Sequence, residues 1–394
     1  MKTVLGGPFA VATPEVITEA GAFRALEGEW GELFAAAPAA TPFQSWGWLY
    51  SWWEHYGGGP RKLRLVAARD AGGELVGLLP LMAEPVGGAG RLLGPLLPGR
   101  LLFVGTGVTD YLDAVVRGGR EREAWAAFAG ALRGMGGWSV ADLQEMRPSA
   151  AAWGLFDLWD GPKARLAQST CSTLEARPLE ESVAALEKKH RSEARRSLRR
   201  ADKDGIRTVL AEGTGIGEAA ARLVGLHRER WRGRGISGEH LTGRFEGMVV
   251  SAARRLSRAG LGGVYESRRG GEVLASCFVL FGKDSVGGYL EGFTDEARSR
   301  YQVSALGAHK EIETALEFGL GRLDMLRGEE PYKLRWKPEV TPNHRLILGR
   351  SLPVWGAYAG YHVLRGRARQ HARSRKVQRW LGRAHRRLRE IGGE

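Results

Sequence analysis

The stretch VGGYLEGFTDEARSRYQVSALGAHKEIETALEFGLGRLDMLRGEEPYKLRW, Val286 to Trp336, decides how this chain is read. Its order is strand, polar loop, amphipathic helix, short strand and a charged loop that carries Tyr332 and Lys333. The loop from Asp295 to Ser304 leads into a helix start, where backbone N–H groups lack intrahelical acceptors and the helix dipole is positive. Such an end suits an anionic group.

Working outward, the same punctuation occurs twice. LRLVAARD (Leu63 to Asp70), Gly72-Gly73-Glu74 and LVGLLPLM form one hairpin signal; LGGVYESR (Leu261 to Arg268), Gly270-Gly271-Glu272 and VLASCFVL form another. Two apolar runs around a Gly-Gly turn read as a β-hairpin. Each is followed by a helix-like segment that ends in glycine and runs into a short strand with an aspartate, Asp142 in the first half and Asp324 in the second. A hairpin, a helix and a strand, twice over, predict a duplicated α/β unit. Pro85 to Pro98 reads as an irregular insertion in the first copy. Between the copies, Ser182 to Gly205 predicts a basic helix, and further helices are expected over Gly217 to Arg232 and Gly243 to Arg258. HRLILG (His344 to Gly349) is a last strand, and an amphipathic tail follows in which Val377, Trp380, Leu381, Ala384, Leu388 and Ile391 recur among arginines.

Composition bounds the rest. The 394 residues, 43% of them hydrophobic, suffice for two domains. The net charge of +14 is concentrated after residue 344, where Arg345, Arg350, Arg365, Arg367, Arg369, Arg373, Arg375, Lys376, Arg379, Arg383, Arg386, Arg387 and Arg389 face only Glu390 and Glu394. That concentration argues against a nucleic-acid footprint across the whole protein. Two cysteines, Cys171 and Cys277, and no h-region followed by a cleavage site point to a reducing cytoplasm. No apolar run is long enough for a membrane span. His/Cys spacing for a metal, a Walker-type loop and a nucleophile elbow are all missing, so no metal is expected.

FQSWGWLYSWWEHYG (Phe43 to Gly57), the hairpin ending in LLPLM, GTGVTDYLDAVV (Gly105 to Val116), KKHRSEARRSLRRADKDGI and FGLGRLDMLRGEEPYKLRW, in this order, resemble the CelD/BcsL-like branch of the GNAT acyltransferase superfamily, named for cellulose-biosynthesis acetyltransferases. The similarity spans roughly residues 20 to 345. It implies an α/β (α+β) fold of two tandem GNAT-like domains, each a mixed, mostly antiparallel sheet flanked by helices, as in Fem-type peptidoglycan aminoacyltransferases. The expected units are residues 1–175, residues 176–350 with the acyl-donor site, and a basic helical tail at 351–394. The resemblance also implies acetyl-CoA or another acyl-CoA as co-substrate, its pyrophosphate on the loop before the helix and its pantetheine arm along the preceding strand. The superfamily pattern Gln/Arg-x-x-Gly-x-Gly/Ala falls on Arg300, Tyr301, Gln302, Val303, Ser304 and Ala305, with valine at 303 where glycine would allow close backbone approach. Glycine returns at Gly307, and Arg298 and Arg300 offer charge-assisted contacts.

On that frame, direct attack of an amine or hydroxyl on a thioester needs a base and a donor for the leaving thiolate. Glu291, in VGGYLEGF, is the expected base; its bland reading is a strand residue facing solvent. Tyr332 and Lys333 are expected at the donor or acceptor, next to Glu330. Asp324 sits in an apolar strand, where Arg327 or Lys333 is the expected ion-pair partner, and a structural pair is favoured over a substrate contact. Asp110, Tyr111 and Asp113 line an acceptor cleft or form an Asp-capped turn. His309 reads as a core or boundary residue, and Trp46, Trp48, Trp52 and Trp53 read as core packing in preference to a sugar platform. Lys188 to Lys203 is either an anionic-acceptor site or a solvated helix face.

The expected activity is acyl, most simply acetyl, transfer to a small-molecule or lipid-linked glycan precursor of the cell envelope. It would act in the cytoplasm, with the tail touching the anionic inner face of the membrane or, alternatively, packing on the domains. Aminoacyl-tRNA as donor, with the tail on RNA, and a non-catalytic docking module are the alternatives.

Overall fold

The structure, a computed structural model, describes residues 12–86, 99–231 and 238–367. Its first half contributes β1 (Thr13–Ile17), β2 (Lys62–Arg69), β3 (Leu75–Glu84), β4 (Gly99–Phe103), β5 (Val115–Val116), β6 (Trp138–Met146) and β7 (Lys163–Glu175), with helices α1 (Ala20–Ala25), α2 (Glu27–Ala36), α3 (Trp46–Tyr56), α4 (Glu121–Gly134) and α5 (Gly154–Leu158). The second half supplies α6 (Leu179–Ala184), α7 (Lys188–Lys203), β8 (Arg207–Leu210), α8 (Ile216–Trp231), α9 (Gly243–Arg258), β9 (Gly262–Arg269), β10 (Glu272–Phe281) and β11 (Ser285–Phe293). It continues through α10 (Asp295–Arg300), α11 (Val303–Glu317), β12 (Arg322–Arg327), α12 (Pro331–Leu334) and β13 (Glu339–Gly349). Residues 352–367 form one more helix, and the segment beyond it, with the predicted Val377 to Ile391 stripe, lies outside the described residues. So does most of the insertion predicted at Pro85 to Pro98.

Both Gly-Gly hairpins form, as β2–β3 and β9–β10. The helix expected over Ser182 to Gly205 is two helices, α6 and α7, because Leu186 turns into a cluster with Val183, Ala194, Ala305 and Trp336 and Glu187 is extended. Only Ala194, Ser197 and Ala201 of α7 are buried, which leaves its basic residues outward. Gly205, at φ 69°, ends α7 in the left-handed conformation that glycine adopts without a Cβ clash, and the Ile206 N–H closes back on the Ala201 carbonyl at 3.0 Å.

The fold is mixed α/β, and its strands make one continuous thirteen-stranded sheet in the order β1-β2-β3-β4-β6-β13-β7-β12-β11-β10-β9-β8, with β5 on β3. Read inward from either end, the halves match. Four antiparallel strands lead to a parallel pair, β4 with β6 and β11 with β12. The last strand of each half then crosses over: β13 pairs with β6, β7 pairs with β12, and the two crossing strands pair with each other. Two separate sheets would each have left an unpaired inner edge, and the exchange removes both.

The helices lock the halves further. Phe245, Met248, Val249, Ala252, Ala253 and Leu256 give α9 a buried stripe at helical spacing, and Thr242 caps its start by accepting from the Phe245 N–H at 3.3 Å. That stripe shares one core with the aromatic helix α3 of the first half. Trp46, Trp48, Trp52 and Trp53 are all buried there, as expected of core residues. Trp48 stands edge-on to Tyr289 of β11 at 4.8 Å, so the first half supports the wall of a cavity in the second.

Candidate active site

The parallel strands β11 and β12 are paired only at Ser285–Arg322 and Val286–Leu323. Beyond that point they part. β12 stays on β7, with a register shift between Asp324 and Arg327 that contains Leu326, a non-glycine residue at φ 58°, while β11 runs on beside β10 to Phe293. Parting strands leave their facing backbone N–H and C=O groups without ladder partners, a surface suited to an amide-bearing ligand. The gap opens into a cavity of about 330 Å³, lined by Asp110, Glu291, Arg327, Glu330, Tyr332 and Lys333, with Arg230, His227, His240 and Tyr289 on its walls. Its size suits a small ligand or part of a larger one. Residues singled out separately in the sequence thus meet in one place, with Asp110 coming from the other half.

Glu291 stands between this cavity and a smaller one beneath α11. Burial raises its carboxyl above the usual range, opposed by Arg230 at 3.7 Å. Glu311 of α11 joins it. The functional atoms of Glu291, Glu311 and Cys277 lie within 4.8 Å of one another, and burial together with the Glu291 charge pushes the Glu311 carboxyl up to about 8. Gly288 makes room for this pair: a Cβ there would stand 2.5 Å from Glu311 Oε1. Gly307, one turn before Glu311, leaves space over Glu291. A thiol and two carboxyls at this distance are a set that could hold a metal ion; without one, burial raises the Cys277 thiol above its ordinary range.

Tyr332 faces the same carboxylates. Burial, then the charges of Glu291 and Glu330, raise its phenol well above its ordinary value and keep its proton on. Lys333 is buried, pairs with Glu330 at 3.0 Å and donates to the Arg327 carbonyl at 2.9 Å. His227 is driven down to about 4, by burial first, and donates to or accepts from its neighbours as a neutral ring; with the Glu291 carbonyl at 2.8 Å as acceptor, Nδ1 carries the proton.

The residues expected around the donor phosphates are distributed differently from the sequence expectation. The loop Asp295 to Ser304 is mostly the short helix α10, capped by Thr294, so the open connection shrinks to Tyr301 and Gln302. Arg298 pairs with Asp295 at 3.3 Å on the surface. Arg300 is held by Asp204 at 3.0 Å and, with Gln302, Arg196 and Arg200, lines a cleft between α7 and the start of α11. The Gln302 N–H donates to Ser197 Oγ at 2.7 Å. Val303 and Ser304 occupy the first two positions of α11, whose N–H groups the helix itself cannot satisfy. Ala305 instead faces the core, and Val303 and Gly307 line the small cavity beside Glu291.

Asp324 has neither partner expected from the sequence. Its carboxyl accepts from Tyr111 Oη at 3.0 Å and from the Leu326 N–H at 2.8 Å, and burial pushes it up to about 6. Arg327 points to the seam between the halves, 3.1 Å from Asp110 and 3.2 Å from Glu145, because the turn at Leu326 sends the two side chains in different directions. Asp113 is a structural cap, accepting from the Ala114, Ala151 and Ala152 N–H groups. His309 is a boundary residue paired with Glu313 at 2.9 Å. Glu311, Arg230, Glu145 and the two histidines were not singled out from the sequence. For Glu311 the available signal was the glycine four residues earlier on the same helix face, which only the strand beneath makes meaningful.

Comparison with known proteins bears on the fold. Residues 188–334 match the family described as an acetyltransferase (GNAT) domain. No curated protein sequence matches the chain. Among solved structures, FemX is similar, with 12% identity, a TM-score of 0.59 and coverage of 87% of this chain and 99% of that one. A conserved protein of unknown function from Bacteroides thetaiotaomicron VPI-5482 is similar at 10% identity and a TM-score of 0.55, covering 85% and 100% of the two chains. At such identities the likeness is one of fold. Residues 188–334 are therefore similar to an acetyltransferase (GNAT) domain, and the chain as a whole has a fold like that of FemX.

Proposed function

We propose that this protein is an acyltransferase that takes an acyl group, most simply acetyl, from acyl-CoA, with residues 1–175 and 176–350 as its two GNAT-like units. The observation that carries this reading is the cavity where β11 and β12 part, which holds a carboxylate, a phenol and an ammonium, with a separate cleft rich in arginine at the start of α11 available to the donor's phosphates. The donor's phosphates lie against Arg196, Arg200 and Arg300 and the Val303 and Ser304 N–H groups. Its pantetheine amides lie along the edge of β11 that parts from β12, where the Glu291 carbonyl is already taken by His227.

An acceptor amine or hydroxyl enters from the side of Asp110 and attacks the thioester carbonyl. Glu291 takes its proton, the carbon–sulfur bond breaks, and the thiolate leaves beside the Tyr332 hydroxyl and the Lys333 ammonium. Glu311 holds a second proton next to Glu291, so that Glu291 can be anionic although the site is buried. The acceptor class, a sugar-containing or lipid-linked cell-envelope precursor, and the CelD/BcsL-like branch follow from the sequence resemblance, and action in the cytoplasm from the sparse, widely spaced cysteines.

Calorimetry and thermal shift with acetyl-CoA, longer acyl-CoAs and free CoA test the donor, because a ligand that binds only the folded state raises its melting temperature. Binding of acyl-CoA, with thiol release on addition of an acceptor, supports the reading. Absence of CoA binding together with a salt-dependent affinity for aminoacyl-tRNA would replace it with a Fem-like transfer, a reading favoured by the outward basic face of α7.

A further inference from the structure

The helix over residues 352–367 has two faces of different kinds. Inward, Trp355 Nε1 donates to the Ile347 carbonyl at 3.2 Å, and Tyr358 donates to Asp142 at 2.7 Å while accepting from Arg100 at 2.9 Å. His362 meets Arg345, and Ala359 is buried. These contacts with β4, β6 and β13 set the rotation of the helix about its own axis, so its outward face is held outward.

That outward face is apolar. Leu352 is 69% exposed, Leu364 66% and Tyr361 46%, and Pro353, Gly356 and Ala357 are exposed between them. Pro353, Ala357, Tyr361 and Leu364 share one side of a 3.6-residue helix, with Leu352 at its margin. No charged residue occurs from Leu352 to Leu364. A continuous apolar surface of this kind marks a contact with something else. Directly after it the sequence turns basic: from Arg365 to Glu394 there are eleven Arg and Lys residues against two Glu. Among the described residues no helix is long and apolar enough to cross a membrane.

We propose that this face docks the protein on an anionic lipid surface, with Leu352, Tyr361 and Leu364 entering the boundary between headgroups and acyl chains, the exposed Arg365 and Arg367 at its end meeting the lipid charges, and the basic sequence that follows adding net positive charge. The combination selects this occupant over two others. A second copy laid on the same face would bring two strongly basic segments together, which like-charge repulsion opposes. Nucleic acid would satisfy the arginines and leave the leucines in water. The proposal is independent of the donor assignment.

The test is co-sedimentation of the full chain with vesicles of phosphatidylcholine alone and of phosphatidylcholine containing phosphatidylglycerol. Binding to the anionic vesicles is expected to be at least about tenfold tighter than to the neutral ones and to weaken as salt is raised. The double substitution Leu352→Gln/Leu364→Gln should lower that affinity about tenfold or more. Its melting temperature should match the parent, since both side chains are exposed. Equal affinity for the two vesicle types overturns the proposal, and so does a double variant that binds as the parent does. Two further outcomes also overturn it: a concentration-dependent dimer in sedimentation velocity that the same pair abolishes while vesicles are not bound, and tight tRNA binding without vesicle binding.

Discussion

Replacing Arg327 with methionine keeps most of the side chain's stem and removes the cation that bridges Asp110 and Glu145 across the two halves. Its guanidinium lies 3.1 Å from Asp110 and 3.2 Å from Glu145, whose side chains are only 10% and 7% exposed. Breaking a buried pair by deleting one partner costs about 3–5 kcal/mol, because the carboxylate left behind is neither solvated nor compensated. Here two carboxylates are left, but each keeps other donors. Asp110 still accepts from the residue-327 N–H at 3.2 Å, and Glu145 from Asn343 at 3.1 Å and from Ser169. The lower part of that range, about 3 kcal/mol at pH 8, is therefore expected.

The sign with pH follows from the same geometry. Burial already raises the Asp110 carboxyl and Arg327 opposes that rise. In the variant the folded-state value of Asp110 climbs further, so the folded protein holds a proton that the unfolded chain has released, and stability falls as pH rises. The penalty should thus be smaller at pH 5 than at pH 8. Urea unfolding followed by tryptophan fluorescence measures it, and adding Asp110→Asn and Glu145→Gln to the variant should recover at least half by removing the stranded charges. A loss below about 1 kcal/mol at pH 8, or a penalty that grows on acidification, would refute this account of the seam.

Four further outcomes are expected. Glu291→Gln should cut transfer by about a hundredfold or more while calorimetry finds acyl-CoA affinity unchanged, and normal turnover removes Glu291 from the chemistry. Glu311 sits at about 8 in the folded state against an ordinary 4.5, so the stability of its neutral form is lost as pH rises through that window; Glu311→Gln should melt above the parent at pH 9 and close to it at pH 4. Gly288→Ala places a Cβ 2.5 Å from Glu311 Oε1 and 3.2 Å from Cys277 Sγ, and should destabilise by about 1–3 kcal/mol in urea unfolding. Arg196→Ser/Arg200→Ser should weaken acetyl-CoA about tenfold and flatten its salt dependence, and an unaltered affinity puts the phosphates elsewhere.

Much of the architecture was legible because it is encoded locally. Gly-Gly turns between apolar runs announced β2–β3 and β9–β10, and the spacing of Phe245, Met248, Ala252 and Leu256 announced α9. The aromatic run in α3 was readable as core for the same reason. The predicted loop at Asp295 to Ser304 failed locally too: Thr294 caps a short charged helix whose only buried residue is Ala297, too little periodicity to register. The partner of Asp324 failed for a different reason, since charge complementarity in the sequence names candidates while the direction of each side chain after the turn at Leu326 selects among them.

The sequence by itself determined the element order and the twice-repeated hairpin, helix and strand, because hydrophobic period and turn chemistry act over a few residues; Glu291, Tyr332 and Lys333 came from the family resemblance. Only the tertiary structure decided that each half lends its last strand to the other, that Asp110 reaches the second half's cavity, and that Glu311 and Cys277 close on Glu291. Those arrangements join positions far apart in the chain, where burial of sheet edges and the enclosure of charge in a shared core choose the partners and sequence spacing carries no record of the choice.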